Sequence, residues 1–260
     1  MKNWKKVITL GLAAMMGAAV LSGCSTNGSK LVMGTNAAFP PFEFTTSQGI
    51  VGEFDGIDVA IAKKIAESMD KELSVEDMEF EGLVASVSTG KIDMAVAGMT
   101  KTEERAQKVD FSDPYYTASQ VMIVGAENTD ITKAEDLKNN KKVGVVLGYT
   151  GDQVVSEQLG VEEANVIRAS RGIDIVQDVK NGKLDAVVLD SATGKALAKK
   201  NNLKVVEDPE VFEQENYAIA VKKGNTELLN QINKVLAEMK ANGEIEALAD
   251  KYALEDAQNN

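Results

Sequence analysis

GKIDMAVAG (90–98) and GKLDAVVLD (182–190) share one grammar. Each comes after a helix-like segment, opens on Gly-Lys, continues with an aliphatic residue and Asp, and runs into an apolar strand. KLVMGTN (30–36) and KVGVVLG (142–148) form a second, looser pair in the same order. Local α/β patterning can produce one such echo. Two in the same order predict a pair of similar lobes.

The segments around these echoes alternate between strand and helix periodicity. KLVMGT (30–35) is β-rich, while Ile57, Ala60, Ile61, Lys64, Ile65 and Ser68 keep helical spacing with one apolar face. ELSVEDM (72–78) alternates like a strand, GLVASVST (82–89) reads as a helix stopping at Gly90, and KIDMAVA (91–97) is a buried-strand run. The second half repeats the alternation. Strands are expected at 141–146, 165–169 and 184–189, and helices at 152–159, 172–180 and 192–200. This βαβ order predicts mostly parallel sheets covered by helices on both faces.

No Pro/Gly-rich linker separates the halves. ASQVMIVG (118–125) and NYAIAVKKG (216–224) are instead β-rich stretches that bracket the second α/β unit. They are read as two strands crossing between lobes and forming a hinge. Residues 225–254 return as two helices split near Asn242–Gly243, where a left-handed stop is natural. The expected fold is α/β: two similar open-sheet lobes joined by a two-strand hinge, with a ligand cleft between them. Lobe 1 takes residues 30–118 plus 218–260, and lobe 2 takes 119–217.

Composition narrows the chemistry. The chain has 260 residues, enough for one large or two modest domains. It contains no histidine, which removes the commonest general base and metal ligand together. A single cysteine excludes an internal disulfide, and no Cys/His spacing suggests zinc; no metal or cofactor is expected. The net charge of −12 argues against a nucleic-acid partner.

Lys2, Lys5 and Lys6 precede VITLGLAAMMGAAV (7–20), an apolar run of signal-peptide length, shorter than the roughly 20 residues of a spanning helix. LSGC (21–24) resembles the bacterial lipobox. That resemblance implies cleavage after residue 23, a lipid on Cys24 and anchoring to the bacterial cell membrane, with residues 24–29 as a polar tether reaching about 15–20 Å. Cleavage would remove three of the 28 basic residues and no acid, leaving a net charge of −15 against 40 acids.

In open α/β sheets ligands bind beyond the carboxyl ends of the strands. Asn36 and Phe39 follow the first strand, Phe80 the second, and Gly98 and Thr100 the third; in the other lobe Leu147 to Thr150 follow one strand and Asp190 ends another. Thr100 and Glu103 fit a capping box, so a helix is expected to start near 100–102 with its free N–H groups facing the cleft. Arg105, one turn in, adds a two-pronged donor suited to a carboxylate. Asp190 offers an anion where the echoing Gly98 has no side chain. Together they suit a zwitterion carrying a carboxylate and an ammonium. Blander roles stay open. Arg105 could pair with Glu104, Asp110 or another helix-surface acid, Asp190 could cap the helix after it, and Phe39 and Phe80 could be core aromatics. VDFSDPYY (109–116) reads as a structural turn and strand.

GTNAAFPPFEF (34–44), FDGIDVAIAKKIAE (54–67), GLVASVSTGKIDMAVAGMTKTEERAQKVDFSDPYY (82–116) and GKLDAVVLD (182–190) resemble the polar amino-acid-binding branch of the bacterial solute-binding proteins, the extracytoplasmic receptors of ABC importers. The similarity runs through nearly all of 30–255. It implies that Arg105 grips an α-carboxylate, aided by the backbone N–H groups of Thr100 and Thr150. The Gly98 carbonyl, the Thr100 hydroxyl and Asp190 would hold the α-ammonium, Phe39 and Phe80 would sandwich the side-chain stem, and Asn36 would lie near its distal end. The implied partners are a free L-amino acid, a membrane permease and, since the chain has no P-loop, an ATPase on a separate polypeptide.

Departures from the family pattern bear on selectivity. Receptors for basic amino acids commonly carry an acid where this chain has Asn36, and a neutral amide cannot offset a buried cation. Leu147 and Leu189 replace polar positions of some glutamine receptors. The expected ligand is a neutral, polar L-amino acid; preference for arginine or lysine would turn attention to Glu43 or Glu81. Two other classes fit part of the pattern. An exported cyclohexadienyl dehydratase would turn a bound ligand into product, and a sensor domain would be encoded beside a kinase rather than a permease.

Overall fold

The computed structural model describes residues 30–258. The leader at 1–23, the tether at 24–29 and Cys24 lie outside the described residues. The first stretch runs through β1 (Lys30–Thr35), β2 (Ala38–Phe39), β3 (Glu43–Thr45), β4 (Phe54–Asp55), α1 (Ile57–Glu67), β5 (Glu72–Asp77), α2 (Leu83–Thr89), β6 (Met94–Ala95), α3 (Glu103–Ala106), β7 (Val109–Phe111) and β8 (Tyr116–Ala118). The middle holds β9 (Gln120–Val124), β10 (Val143–Val146), α4 (Thr150–Gln153), β11 (Val166–Ala169), α5 (Gly172–Lys180), β12 (Ala186–Asp190), α6 (Ser191–Asn201) and β13 (Lys204–Val206). The chain returns through β14 (Glu215–Tyr217), β15 (Ala220–Lys222), α7 (Thr226–Ala241) and α8 (Glu244–Gln258).

Two five-stranded sheets carry the molecule, ordered β5-β1-β6-β15-β7 and β11-β10-β12-β9-β13. They are built alike. In each, the first three positions are parallel and the fourth strand runs antiparallel to both neighbours. The fourth strand marks the crossing. β9 leads into the second sheet directly after β8, and β15 returns to the first sheet directly after β14. β8 and β14 pair antiparallel between the sheets, Tyr116 opposite Tyr217. The expected two-lobed α/β architecture with a two-strand connection is therefore present.

The echoes have local causes. Gly90 (φ 79°) and Gly182 (φ 70°) each take the left-handed backbone just past a helix, where a side chain would be strained. The aliphatic residue that follows covers a glycine of the lobe's first strand. A Cβ on Gly34 would lie 2.4 Å from Ile92 Cδ1, and one on Gly144 2.7 Å from Leu184 Cδ1. The Asp then accepts from the backbone of that strand's start: Val32 N–H donates to Asp93 Oδ2 at 2.8 Å and Lys142 N–H to Asp185 Oδ2 at 2.7 Å.

The alternation expected of a doubly covered sheet is visible in the second lobe. Ile123, Val187 and Leu189 face one cluster with Ile175 and Leu197, while Met122, Val124, Ala186 and Val188 face another with Val143 and Val155. The first of these clusters continues across the cleft to Phe39, Phe80 and Tyr149. Helix α7 buries Leu228, Ile232, Val235, Leu236 and Met239 at helical spacing, and the side chain of its N-cap Asn225 accepts from Leu228 N–H.

Two expectations need correction. The helix expected at 152–159 is the short α4 followed by a wider turn of π geometry at Val154–Gln158. The helix expected to start near 100–102 does start there, but with a different cap. Thr102, not Thr100, is the N-cap of α3, its hydroxyl accepting from Arg105 N–H at 3.2 Å. Thr100 is thereby released for the cleft.

Candidate functional site

The carboxyl ends of β5, β6, β10 and β12 converge on a small cavity between the sheets, with room for about one water molecule. It is lined by Phe80, Gly98, Thr100, Arg105, Thr150 and Asp190, together with Tyr149. Six of the eight ligand-site residues expected from the sequence thus meet at one point. Asn36 and Phe39 lie just behind it, each 1% exposed.

Gly98 follows β6 with φ 52°, and its N–H donates to Asp58 Oδ2 at 2.8 Å. A Cβ there would stand 2.6 Å from Phe39 Cε1. Gly98→Ala combines an unfavourable φ with a ring collision. It is expected to cost about 1–3 kcal/mol and lower the melting temperature by several degrees, as thermal unfolding would record. Thr100 is held by the returning chain: it forms an antiparallel bridge with Tyr217, and Ala218 N–H donates to Met99 O at 3.0 Å.

The Arg105 side chain is buried and spans the cleft. Nη1 donates to Thr100 O at 2.6 Å, and Nη2 donates across to Gly148 O at 2.8 Å. Its Cζ lies 5.1 Å from the Phe80 ring centroid, a cation–π arrangement. Burial lowers its pKa, while Asp190 and then Glu215 act to raise it. Pairing with Glu104 or Asp110 is not what this side chain does.

Asp190 is the N-cap of α6 by position, yet its side chain makes no capping bond. It accepts instead from Tyr217 Oη at 2.8 Å. Burial pushes its carboxyl up to about 7, with the nearby Glu215 charge acting in the same direction. Deeper still, Glu43 and Asp58 form a fully buried acid pair. Burial, then the Asp58 charge, raises Glu43 well above the usual carboxylate range; burial pushes Asp58 up to about 6. Tyr115 Oη donates to Asp58 Oδ2 at 2.7 Å.

Tyr149 occupies the aromatic slot. Its ring meets Phe39 edge-on at 5.5 Å and Phe80 at 4.4 Å between centroids, and its hydroxyl donates to Asn36 Oδ1 at 3.3 Å. Asn36 Nδ2 donates to Met78 O at 2.9 Å. Further links close the rim, where Arg171 Nη2 pairs with Asp77 Oδ2 at 2.7 Å and Ser170 Oγ donates to Glu79 Oε1 at 2.9 Å.

Four residues of this constellation were not singled out from the sequence: Tyr149, Gln120, Glu215 and Tyr217. Signals existed for three. Gln120 is the polar residue that opens the otherwise apolar strand QVMIV (120–124), and Glu215 and Tyr217 sit two apart on one hinge strand, hence on one face.

A two-lobed α/β molecule with polar groups converging from both sheets on a shut cleft has the build of a ligand-capturing receptor. The family model for bacterial extracellular solute-binding proteins, family 3, matches residues 31–255. The chain belongs to that family, which puts its place of work outside the cytoplasm. The arginine-binding extracellular protein ArtP of Bacillus subtilis is 36% identical, the match covering 97% of this chain and 98% of that protein. A probable histidine-binding protein of Neisseria gonorrhoeae is 32% identical, over 96% of both chains. Among solved structures, an ancestral arginine-binding protein bound to glutamine superposes with a TM-score of 0.78 at 40% identity, covering 86% of this chain and 97% of its own. All three are named as binding proteins.

Proposed function

We propose that the chain is the amino-acid receptor of an ABC importer, capturing a free L-α-amino acid by closure of two lobes and handing it to a membrane permease with a separate ATPase. The observation that carries the reading is the placement of the Arg105 guanidinium and the Asp190 carboxylate on one cavity, from opposite sheets. An α-carboxylate belongs on Arg105 and on the N–H groups of Thr100 and Thr150; an α-ammonium belongs on Asp190, the Gly98 carbonyl and the Thr100 hydroxyl. The moving bodies are residues 30–118 with 218–260 and residues 119–217, turning about the β8–β14 pair. Opening withdraws Tyr149, which is carried by the second body, from between Phe39 and Phe80. The slot it leaves takes the ligand's stem. The LSGC motif supports a lipid on Cys24 that keeps the receptor beside its permease.

For the ligand's side chain, the neutral amide of Asn36 at the far end of the slot supports a neutral, polar group. A second reading has its own observation. Buried Glu43 faces a second buried acid, Asp58, whose charge repels its own, which favours a cationic side chain, in keeping with relatives named for arginine and histidine. Thermal unfolding of refolded, ligand-stripped protein with each of the twenty amino acids at millimolar concentration decides. A micromolar ligand at thousandfold excess adds roughly 4 kcal/mol, a shift of about 8–16 °C for a chain of this size. A shift with glutamine or another neutral polar residue supports the first reading, and one confined to arginine, lysine or histidine supports the second. No shift with any of the twenty would remove the amino-acid assignment.

A further inference from the structure

The carboxylate of Glu215 sits at the join of the two lobes. Its Oε2 accepts from the Thr100 hydroxyl, on the first-sheet side, and from the Thr150 hydroxyl, on the second-sheet side, both at 2.6 Å. Its Oε1 accepts from Gln120 Nε2 at 3.1 Å, and the same amide nitrogen donates to Thr150 Oγ1 at 3.1 Å. The backbone of Glu215 is fixed by the β8–β14 pair, where it lies opposite Ala118. One carboxylate oxygen thus gathers a hydroxyl from each wall of the cleft, on a strand that itself forms the connection between the walls.

We propose that Glu215 is a positioning residue for ligand capture, latching Thr100 and Thr150 to one another through its carboxylate when the cleft shuts. A threonine hydroxyl has one proton and two lone pairs. With the proton committed to Glu215, the Thr100 oxygen can face the cavity only as an acceptor. That suits an ammonium and rejects a second carboxylate, so the latch also fixes which end of a zwitterion lies at Thr100. The inference rests on the amino-acid reading for the identity of the ligand, but the link between lobes does not depend on it. Hydrogen bonds to a charged acceptor are stronger than neutral ones, and these two exist together only in the shut arrangement. Ligand capture and closure are coupled at this residue.

Glu215→Gln, Thr150→Val and the double variant separate this role from a merely structural one. Expected in the full chain is an affinity weakened about tenfold to a hundredfold, carried by faster ligand dissociation with the association rate little changed. The double variant should be no weaker than Glu215→Gln alone, because both changes break the same link. Unchanged dissociation, or effects of the two substitutions that multiply, would overturn the latch. Small-angle scattering without ligand gives an independent arm. Glu215→Gln is expected to enlarge the radius of gyration, and identical scattering from a variant with a normal melting temperature counts against the proposal. If the wild-type chain binds none of the twenty amino acids, the scattering arm still decides on the latch.

Discussion

Arg105→Ala is expected to abolish the amino-acid-induced rise in melting temperature, with affinity weakened on the order of 10³-fold. The guanidinium is buried, and two of its five N–H donors are committed to the carbonyls of Thr100 and Gly148. The remaining donors stay available for a planar acceptor. The side chain holds one wall of the cleft against the other, and in the proposed function it also presents a fork to the ligand. Lysine at this position keeps the charge but not the fork, so Arg105→Lys should recover only part of the loss. Isothermal titration with the amino acid identified by the panel checks both variants. Retention of wild-type affinity within a few-fold by Arg105→Ala would remove the carboxylate assignment.

Asp190→Asn should move stability and affinity in opposite directions. The Asp190 carboxyl is raised to about 7 in the folded chain, first by burial and then by Glu215. A carboxyl raised above its unfolded value gives stability that is fully present below the unfolded pKa of about 4 and is lost as pH rises through the folded value. Asp58 and Glu43 add slopes of the same sign. The ligand-free protein should therefore lose stability between pH 5 and 8, and Asp190→Asn should melt about 5 °C higher than wild type at pH 8, with a shallower slope. Its affinity should fall roughly a hundredfold or more, since an amide oxygen can accept from an ammonium but carries no charge to balance it. In the wild type, affinity should drop about tenfold for each pH unit below 7 and level off above it, because the ammonium needs the ionised carboxylate. Melting curves and titrations from pH 5 to 8 test the pair of effects. A variant that melts lower at pH 8 and binds as wild type does would contradict the assignment.

Much of the architecture could be read from local rules. The Gly-Lys-aliphatic-Asp echo is legible because each position answers a backbone demand. Gly90 and Gly182 adopt the left-handed turn, Ile92 and Leu184 cover a glycine, and Asp93 and Asp185 bond the first strand. Strand ends then located Arg105, Thr100, Gly98, Thr150, Phe80 and Asp190 without a structure. What stayed hidden depends on distant pairings. Glu215 meets Thr100 across 115 residues and Thr150 across 65, and no spacing rule connects them. Leu147 to Thr150 is legible as a strand end on the cleft, but nothing in it marks Tyr149, because only the approach of the two sheets slides its ring between Phe39 and Phe80. The helix start falls within the expected 100–102, but the capping threonine does not follow from the sequence, because Thr100 and Thr102 both suit a cap. The tertiary bond from Thr100 to Glu215 decides between them.

The placement of β15 sets an order on how this chain can come together. All five strands of the second sheet lie between Gln120 and Val206 in sequence, so that unit can be completed from a continuous length of polypeptide. The first sheet cannot. Among the described residues its edge strand β7 pairs only with β15, which arrives more than a hundred residues later. Closing that long loop costs chain entropy that is repaid only when the last strand docks. The inserted unit can mature first and its host last, so the first lobe stays open until residues 220–222 arrive. A chain cut short ahead of them would carry one finished lobe and one with an orphaned edge, the kind of edge on which another chain can pair.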